Sequence, residues 1–447
     1  MPNFDRDVND PREISGWVMY DWANSAFSTT VATALFGPYL TLLAQSAVGE
    51  NGVVFGLGPF GAVTAKAFFP YTVSLSVFLQ LFLLPFLGAI ADHSRLKKKL
   101  MAAACALGVA ATSLLFWVTE GRLFLGAALF LIANVSFGLS MVLYNAFLPE
   151  ICSEDRRDQV SSRGFAFGYL GGGLLLAINL ALILGGDRFG ISKGLAVRLS
   201  LLSAGLWWGG FAALAFTRLK SREVPRILPP GRGLLSVGIG EIGNTFRELI
   251  RLPQTFRTLV AYLFYNDGIQ TVIAMATVFL EQELFISNGL GPQPGFLLAL
   301  LLMVQFVAFA GTFLFERVAR VLGAKRALLL SLVLWSGVIV YAYAGLKSTA
   351  GAWSLGGMIA LVLGGSQALS RSLFSRMIPR GREASFFGLY EISERGTSWI
   401  GPLLFGLVVS QTGSYRNALL SVIILFIVGA ALLAATDTER AIKDAAG

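Results

Sequence analysis

Apolar residues run through this chain in long blocks separated by short polar stretches, and block length is the informative quantity. A helix needs about 20 apolar residues to cross ~30 Å of hydrocarbon. Twelve segments meet that requirement, near 15–45, 67–91, 99–119, 123–148, 163–186, 195–217, 255–283, 295–319, 327–346, 351–377, 385–411 and 416–436. An even number of spans puts both termini on one side. If that side is the cytoplasm, the inner stretches carry Arg95, Lys97, Lys98, Lys99, Arg156, Arg157, Arg218, Lys220, Arg320, Lys325, Arg326, Arg380 and Arg382, among others. The outer stretches hold only Lys66, Arg122, Arg188, Lys193, Lys347 and Arg416. Positive charge collects on the cytoplasmic side of membrane proteins, so both termini are expected to be cytoplasmic.

The longest polar stretch, 218–254, contains Pro225, Pro229, Pro230 and Gly231. After it Leu234, Leu235, Val237, Ile239, Ile242, Phe246, Leu249 and Ile250 alternate with Glu241, Arg247, Glu248 and Arg251. That pattern predicts a linker followed by an amphipathic helix lying on the inner membrane surface. It divides the chain into a six-helix unit at 1–217 and a second at 255–447. The halves echo one another in order. Gly88-Ala-Ile-Ala-Asp92 before basic residues returns as Gly311 to Glu316 before Arg317, and Tyr20-Asp21 returns as Tyr265-Asn266-Asp267. Two six-helix repeats are the signature of the major facilitator architecture. The fold class expected is therefore an all-α polytopic membrane protein of that type, with two six-helix bundles.

Composition agrees. Of 447 residues 55% are hydrophobic and 14% charged, against ~25% charged in soluble domains, and mean hydropathy is +0.69. Disordered, coiled-coil and disulfide-rich classes are excluded. The net charge of +9 follows topology, so nucleic acid is not an expected partner. Cys105, Cys152 and the single His93 cannot build a metal cluster or a disulfide framework, and no cofactor is expected. The polar start, MPNFDRDVNDPRE, lacks the basic and apolar pattern of a cleavable signal, so the first segment is read as a permanent span.

Ionisable groups inside hydrocarbon are costly and should face a cavity or a partner. Helical spacing gathers Asp21, Asn24, Ser25 and Ser28 on one face of the first span, and Asp267, Gln270 and Thr271 on one face of the seventh. The same holds for Gln367, Ser370 and Arg371 in the tenth span, and for Glu391, Glu394, Arg395 and Ser398 in the eleventh; Tyr144 and Asn145 join them from the fourth. At 1.5 Å per residue, Asp267, Glu394 and Arg395 come out roughly 15 Å inside, near the midplane. Asp21 and Arg371 lie nearer the inner mouth. Asp267 and Glu394 are thus candidates for substrate charge recognition or proton coupling. Arg371 or Arg395 suits a substrate carboxylate. Plain ion pairs are the alternative: Glu391 with Arg395 at i, i+4, and Asp21 with Arg371 as a helix lock.

Gly88, Asp92, Arg95 and Lys97, echoed by Gly311, Glu316 and Arg317, read as a gate element, with Asp92 capping or pairing where the inner gate closes. His93, in that loop, is expected to be solvated. Gly168-Tyr-Leu-Gly171-Gly172-Gly173 lies within an apolar span with no preceding strand, which excludes a dinucleotide site and favours close helix packing. No phosphate-binding loop is present, and Ser366 lacks the nucleophile-elbow pattern.

At these residues the sequence resembles a branch of the major facilitator superfamily, the vacuole-effluxer-like family linked to autophagy in yeast. The matching stretches include Tyr20-Asp21-Trp22-Ala23-Asn24-Ser25, Tyr144-Asn145-Ala146-Phe147-Leu148-Pro149-Glu150, Asp267-Gly268-Ile269-Gln270-Thr271 and Gly365-Ser366-Gln367-Ala368-Leu369-Ser370-Arg371. The resemblance implies twelve helices, alternating access and movement of amino acids. The compact form, without long insertions, suits a bacterial inner (plasma) membrane. The gate loop departs from the superfamily pattern, with His93 where Arg is usual. The expected function is secondary active transport of an amino acid or similar zwitterion, coupled to protons, in a lipid-embedded monomer. Efflux of amphipathic or cationic compounds is the rival within transport, and a non-transporting scaffold or sensor the rival outside it. An intramembrane enzyme is not expected.

Overall fold

The computed structural model describes residues 8–49, 52–56, 62–220, 234–290, 293–395 and 400–446, with the side chains of 234–242, 294, 395 and 410 outside the description. Eleven helices among the described residues are long and apolar enough to cross a membrane. In chain order these are the first span (Pro11–Val48), the second (Ala65–Asp92), the third (Lys97–Trp117), the fourth (Leu123–Ile151), the fifth (Glu154–Phe189) and the sixth (Lys193–Arg218). After them come the seventh (Pro253–Asn288), the eighth (Gly295–Leu322), the ninth (Ala324–Ala344), the tenth (Thr349–Ser375) and the twelfth (Tyr415–Ala434). Of the eleventh, the described parts are the helical segments Glu383–Arg395 and Ile400–Thr412. A helix at Leu234–Arg251 follows the basic end of the sixth span. A short hairpin, Val53–Gly56 against Ala62–Thr64, joins the first and second spans; the apolar pattern did not reveal it.

The first span begins where Asp10 caps it, accepting from the Arg12 amide at 2.9 Å, with Pro11 in the first turn. The Lys220 ammonium, 2.8 Å away, holds the Asp10 carboxyl below the usual carboxylate range and ties the start of the first span to the end of the sixth. Midway, Phe27–Leu35 is wound as a π-helix, and Thr33 donates to the Ser28 carbonyl five residues back at 2.8 Å. Such wide turns re-aim side chains and recur at functional sites.

The first, third, fourth and sixth spans pack together around Trp208, which meets Phe27 and Phe137 at ring separations of 5.6 and 5.9 Å. The seventh, ninth, tenth and twelfth pack around Trp335, stacked on Phe426 at 5.7 Å, with its indole donating to Ser366 at 3.3 Å. The halves meet through the second span against the eleventh and the fifth against the eighth and tenth. The expected six-plus-six arrangement and its all-α character are what the structure has.

The glycine run of the fifth span serves packing. A Cβ on Gly171 would lie 2.8 Å from the Trp22 carbonyl oxygen, and one on Gly172 would lie 2.6 Å from Thr29 Oγ1. The first span therefore seats in a groove that only glycine leaves open. Gly171→Ala is expected to lose about 1–3 kcal/mol through overpacking against a backbone that cannot give. Gly210→Ala, whose added methyl meets nothing within 4 Å, is expected to leave stability unchanged or raised. Thermal unfolding of the two variants in detergent checks the contrast.

Candidate functional site

A cavity of about 530 Å³ lies between the halves, well within the size range of small-molecule sites. Its closed end sits toward the face rich in Arg and Lys, here termed the basic face. There Asp21, Asn24, Asn145, Tyr169, Gln367, Arg371, Tyr390 and Glu394 line it. Away from that end the wall turns mostly apolar, with Phe27, Val73, Phe137, Ile273, Leu297, Val304, Leu355 and Ile359, interrupted by Asn134, Gln270 and Gln305. The ninth and twelfth spans add Val338 and Leu419.

Arg371 is the centre of the closed end. It is 1% exposed, and every one of its neighbours below belongs to the opposite half. Its Nε donates to Ser161 Oγ at 3.0 Å, and one terminal nitrogen donates to the Ser161 carbonyl at 2.9 Å. Both terminal nitrogens reach Asp21 Oδ2 at 3.4 Å, and one also reaches Asn145 Oδ1 at 3.3 Å. The guanidinium lies 4.2 Å from the Phe165 ring centre and 4.7 Å from that of Trp17. Such contacts are worth on the order of 1–2 kcal/mol each when desolvated. Asp21 is completed by the Tyr144 hydroxyl, which donates to it at 2.7 Å. Tyr144 is itself stacked on Trp17 at 4.4 Å, and the Trp17 indole donates to the Tyr144 carbonyl at 2.9 Å. Asn145 Nδ2 donates to Glu391 at 2.7 Å, drawing in the eleventh span.

Beyond this cluster the basic face is sealed by two further sets of contacts. The fifth and tenth spans are zipped where Ser161 donates to the Ala368 carbonyl at 2.8 Å and Arg157 to the Ser375 carbonyl at 2.8 Å. Asp158 there accepts from Ser372 at 2.5 Å and pairs with Arg376 at 2.7 Å. Asp92, at the end of the second span, accepts from the Ala384 and Ser385 amides at 3.0 and 2.8 Å. It thus caps the first helix of the eleventh span from outside, where backbone N–H groups lack partners and the helix dipole is positive. The approach is close enough that a Cβ on Gly88 would fall 2.4 Å from the Ala384 carbonyl oxygen.

The other candidates are dispersed. Lys97 is buried and paired with Glu150, whereas Arg95 and Arg317 are exposed. Glu316 pairs with Arg320 one turn on at 2.5 Å, and Gly311 packs on the Leu361 backbone, so the second-half echo stays within its own half instead of bridging to the other. His93 is a correction to the expectation of a solvated ring. It is 6% exposed, with Nδ1 2.9 Å from the Ala89 carbonyl, to which it donates. Asn24 donates to Met141 Sδ at 3.3 Å, Tyr169 donates to Gln367, and Gln270 lines the cavity wall. Asp267 is 1% exposed but is turned away from the cavity, accepting from the Gly401 amide at 2.7 Å. The Arg395 side chain lies outside the described residues, and so does Ser398.

Trp17, Ser161 and Phe165 were not singled out from the sequence. Trp17 precedes Asp21 by one turn and Phe165 follows Ser161 by one turn, so shared faces were the available signal.

The sequence profile of the family described as "Vacuole effluxer Atg22 like" matches residues 9–446. The chain belongs to this family. The Atg22-like chain is 32% identical over 430 residues to the MFS-type transporter YxiO of Bacillus subtilis, covering 96% of itself and 95% of that protein. It is 27% identical over 474 residues to autophagy-related protein 22 of Yarrowia lipolytica, covering 86% and 78%. Among solved structures it resembles the E. coli fucose–proton symporter FucP, with a TM-score of 0.68 at 14% identity, covering 96% and 98%. The human organic anion transporter MFSD10 gives 0.66 at 15% identity, covering 97% and 100%. The fold of this Atg22-like protein is that of the major facilitator superfamily, and the protein is a multi-pass membrane transporter of small solutes, not an enzyme.

A buried pair is strongly destabilised when one partner is removed. Arg371→Leu is expected to cost about 3–5 kcal/mol because Asp21 is left without its cation. Asp21→Asn in the same chain is expected to restore more than half of the loss. Thermal unfolding of the single and double variants tests this; a double variant as unstable as Arg371→Leu would show that the two charges are not coupled.

Proposed function

We propose that this transporter carries a small zwitterion, an amino acid or a close relative, by alternating access. The observation that carries the reading is the pairing of opposite charges at the closed end of a cavity whose remaining wall is mostly apolar. Arg371 offers a fork for a carboxylate. Asp21 and the cavity-facing Glu394 offer acceptors for an ammonium group, and the apolar wall receives a side chain. A substrate carboxylate competes with Asp21 for Arg371 and so loosens contacts that hold the two halves together at the basic face. Residues 1–217 and 255–447 then rock as units, joined by 218–254. The coupling proton resides on Glu394, which faces the cavity, in preference to Asp267, which does not. The charge bias supports a cytoplasmic basic face with both termini there, and the compact form supports a bacterial inner membrane. One chain encloses the whole cavity, which supports a monomeric working unit.

The test is uptake by the purified chain in liposomes under a pH gradient. Neutral amino acids are expected to accumulate, Glu394→Gln to abolish gradient-driven accumulation, and Arg371→Lys to raise KM about tenfold, equivalent to ~1.4 kcal/mol of lost bidentate contact. Accumulation undiminished in Glu394→Gln would remove the coupling assignment. Transport of hydrophobic cations with no amino-acid flux would replace the zwitterion by an amphipathic substrate, which the apolar wall also accommodates.

A further inference from the structure

A second cavity, of about 550 Å³, lies apart from the solute site, where the first and fifth spans start at the basic face. Phe313 of the eighth span completes its wall, so both halves contribute to it. Arg156, Gln159 and Arg163 line the end nearest the basic face, and their spacing of i, i+3 and i+7 puts them on one face. None of these three side chains has a hydrogen-bond or ion-pair partner among the described residues. Their neighbours differ: Arg157 donates to the Ser375 carbonyl, and Arg376 pairs with Asp158. No carboxylate among the described residues lines this groove, and Asp155 acts on Arg156 from outside it.

Phe167 follows Arg163 by one turn on the same helix face, and Val18, Met19 and Trp22 line the groove from the first span. Between Gln159 and Phe167 the helix climbs about 12 Å, and over that distance the wall passes from cationic to apolar. Phe167 is exposed, and so are Leu174 and Ile178, two and three turns further along its face. In a membrane-spanning helix such a row of exposed apolar side chains faces hydrocarbon. The groove therefore has a charged end at headgroup level and an apolar end continuous with the lipid-facing surface. A soluble anion would use the charged end alone, whereas a molecule with an anionic head and an apolar tail uses both. Two guanidinium groups without a protein counter-charge suit a phosphodiester.

We propose that this groove binds an anionic phospholipid, its headgroup held by Arg156 and Arg163 and an acyl chain lying against Val18, Met19, Phe167 and Phe313. A zwitterionic headgroup presents the same phosphate, but its cationic part would meet two arginines and no carboxylate, so a lipid of net negative charge is favoured. Because Phe313 belongs to the second half, the lipid lies across the junction of the halves, beside the seal at the basic face.

The test is binding of phosphatidylglycerol to the purified full chain in detergent, read by native mass spectrometry and by the rise in Tm that a ligand of the folded state causes. Phosphatidylglycerol is expected to be retained more strongly than phosphatidylcholine of the same acyl chains, with a saturable rise in Tm. Arg156→Gln combined with Arg163→Gln is expected to weaken that binding on the order of tenfold or more. Both arginines are exposed, so their replacement leaves the packing in place. Arg317→Gln combined with Arg326→Gln removes the same charge from other exposed positions on the basic face and is expected to leave binding unchanged. Inorganic phosphate and deacylated glycerophosphoglycerol are expected to leave Tm unchanged. Equal retention of the two lipids overturns the proposal, as does equal binding by the two double variants. A rise in Tm with inorganic phosphate that matches the rise with lipid assigns the groove to a soluble anion and also overturns it. These readouts involve no solute flux, so the zwitterion reading stands or falls separately.

Discussion

A guanidinium buried in an apolar assembly has to be surrounded by partners, because water is no longer there to solvate it. Arg371 draws those partners from the first, fourth and fifth spans, all in the half opposite its own. The demand reaches outward. Asp21 has to be buried beside it, Tyr144 has to turn its hydroxyl to Asp21, and Trp17 and Phe165 have to lie along the cation. The bond to the Ser161 carbonyl brings the fifth and tenth spans within backbone range, and the contacts at Ala368 and Ser375 then follow along the same seam.

The result is a molecule with a polar seal at one end of its cavity and apolar walls toward the other. The polar links described between the halves gather at the basic face, where Asp92 and Asp158 each serve partners across the divide. Each is a directional contact of short range, so a small rotation of one half breaks several together. Packed interfaces of that kind switch between discrete arrangements instead of deforming gradually. The helix Leu234–Arg251 joins the same region, because Glu248 pairs with the buried Arg382 immediately before the eleventh span. The segment connecting the halves is therefore tied to the element that Asp92 caps.

The two halves are similar in plan and unequal in detail. Asp21 and Asp267 occupy equivalent places in their spans, yet Asp21 meets a cation of the other half while Asp267 meets a backbone amide of its own. Asp92 bridges the halves, whereas Glu316 closes on Arg320 one turn away. The divergence leaves an ion pair across the divide at the cavity for Asp21 and contacts within its own half for Asp267 and Glu316.

The sequence alone determined the number and order of the apolar helices, the linker helix, the basic face and the short set of polar residues embedded in hydrocarbon. These are local properties, since the thickness of a membrane and the cost of an ionisable group within it act on each segment separately. Tertiary structure decided which of those residues meet. Spacing put Asp21 and Arg371 each on a polar helix face, but only packing joined them, buried His93, and turned Asp267 from the cavity to Gly401. Trp17 and Phe165 carried no signal beyond a shared helix face, because an aromatic residue within an apolar run is ordinary until a cation is placed against it. Pairing depends on the rotation and depth of several helices at once, and no single stretch of sequence encodes either.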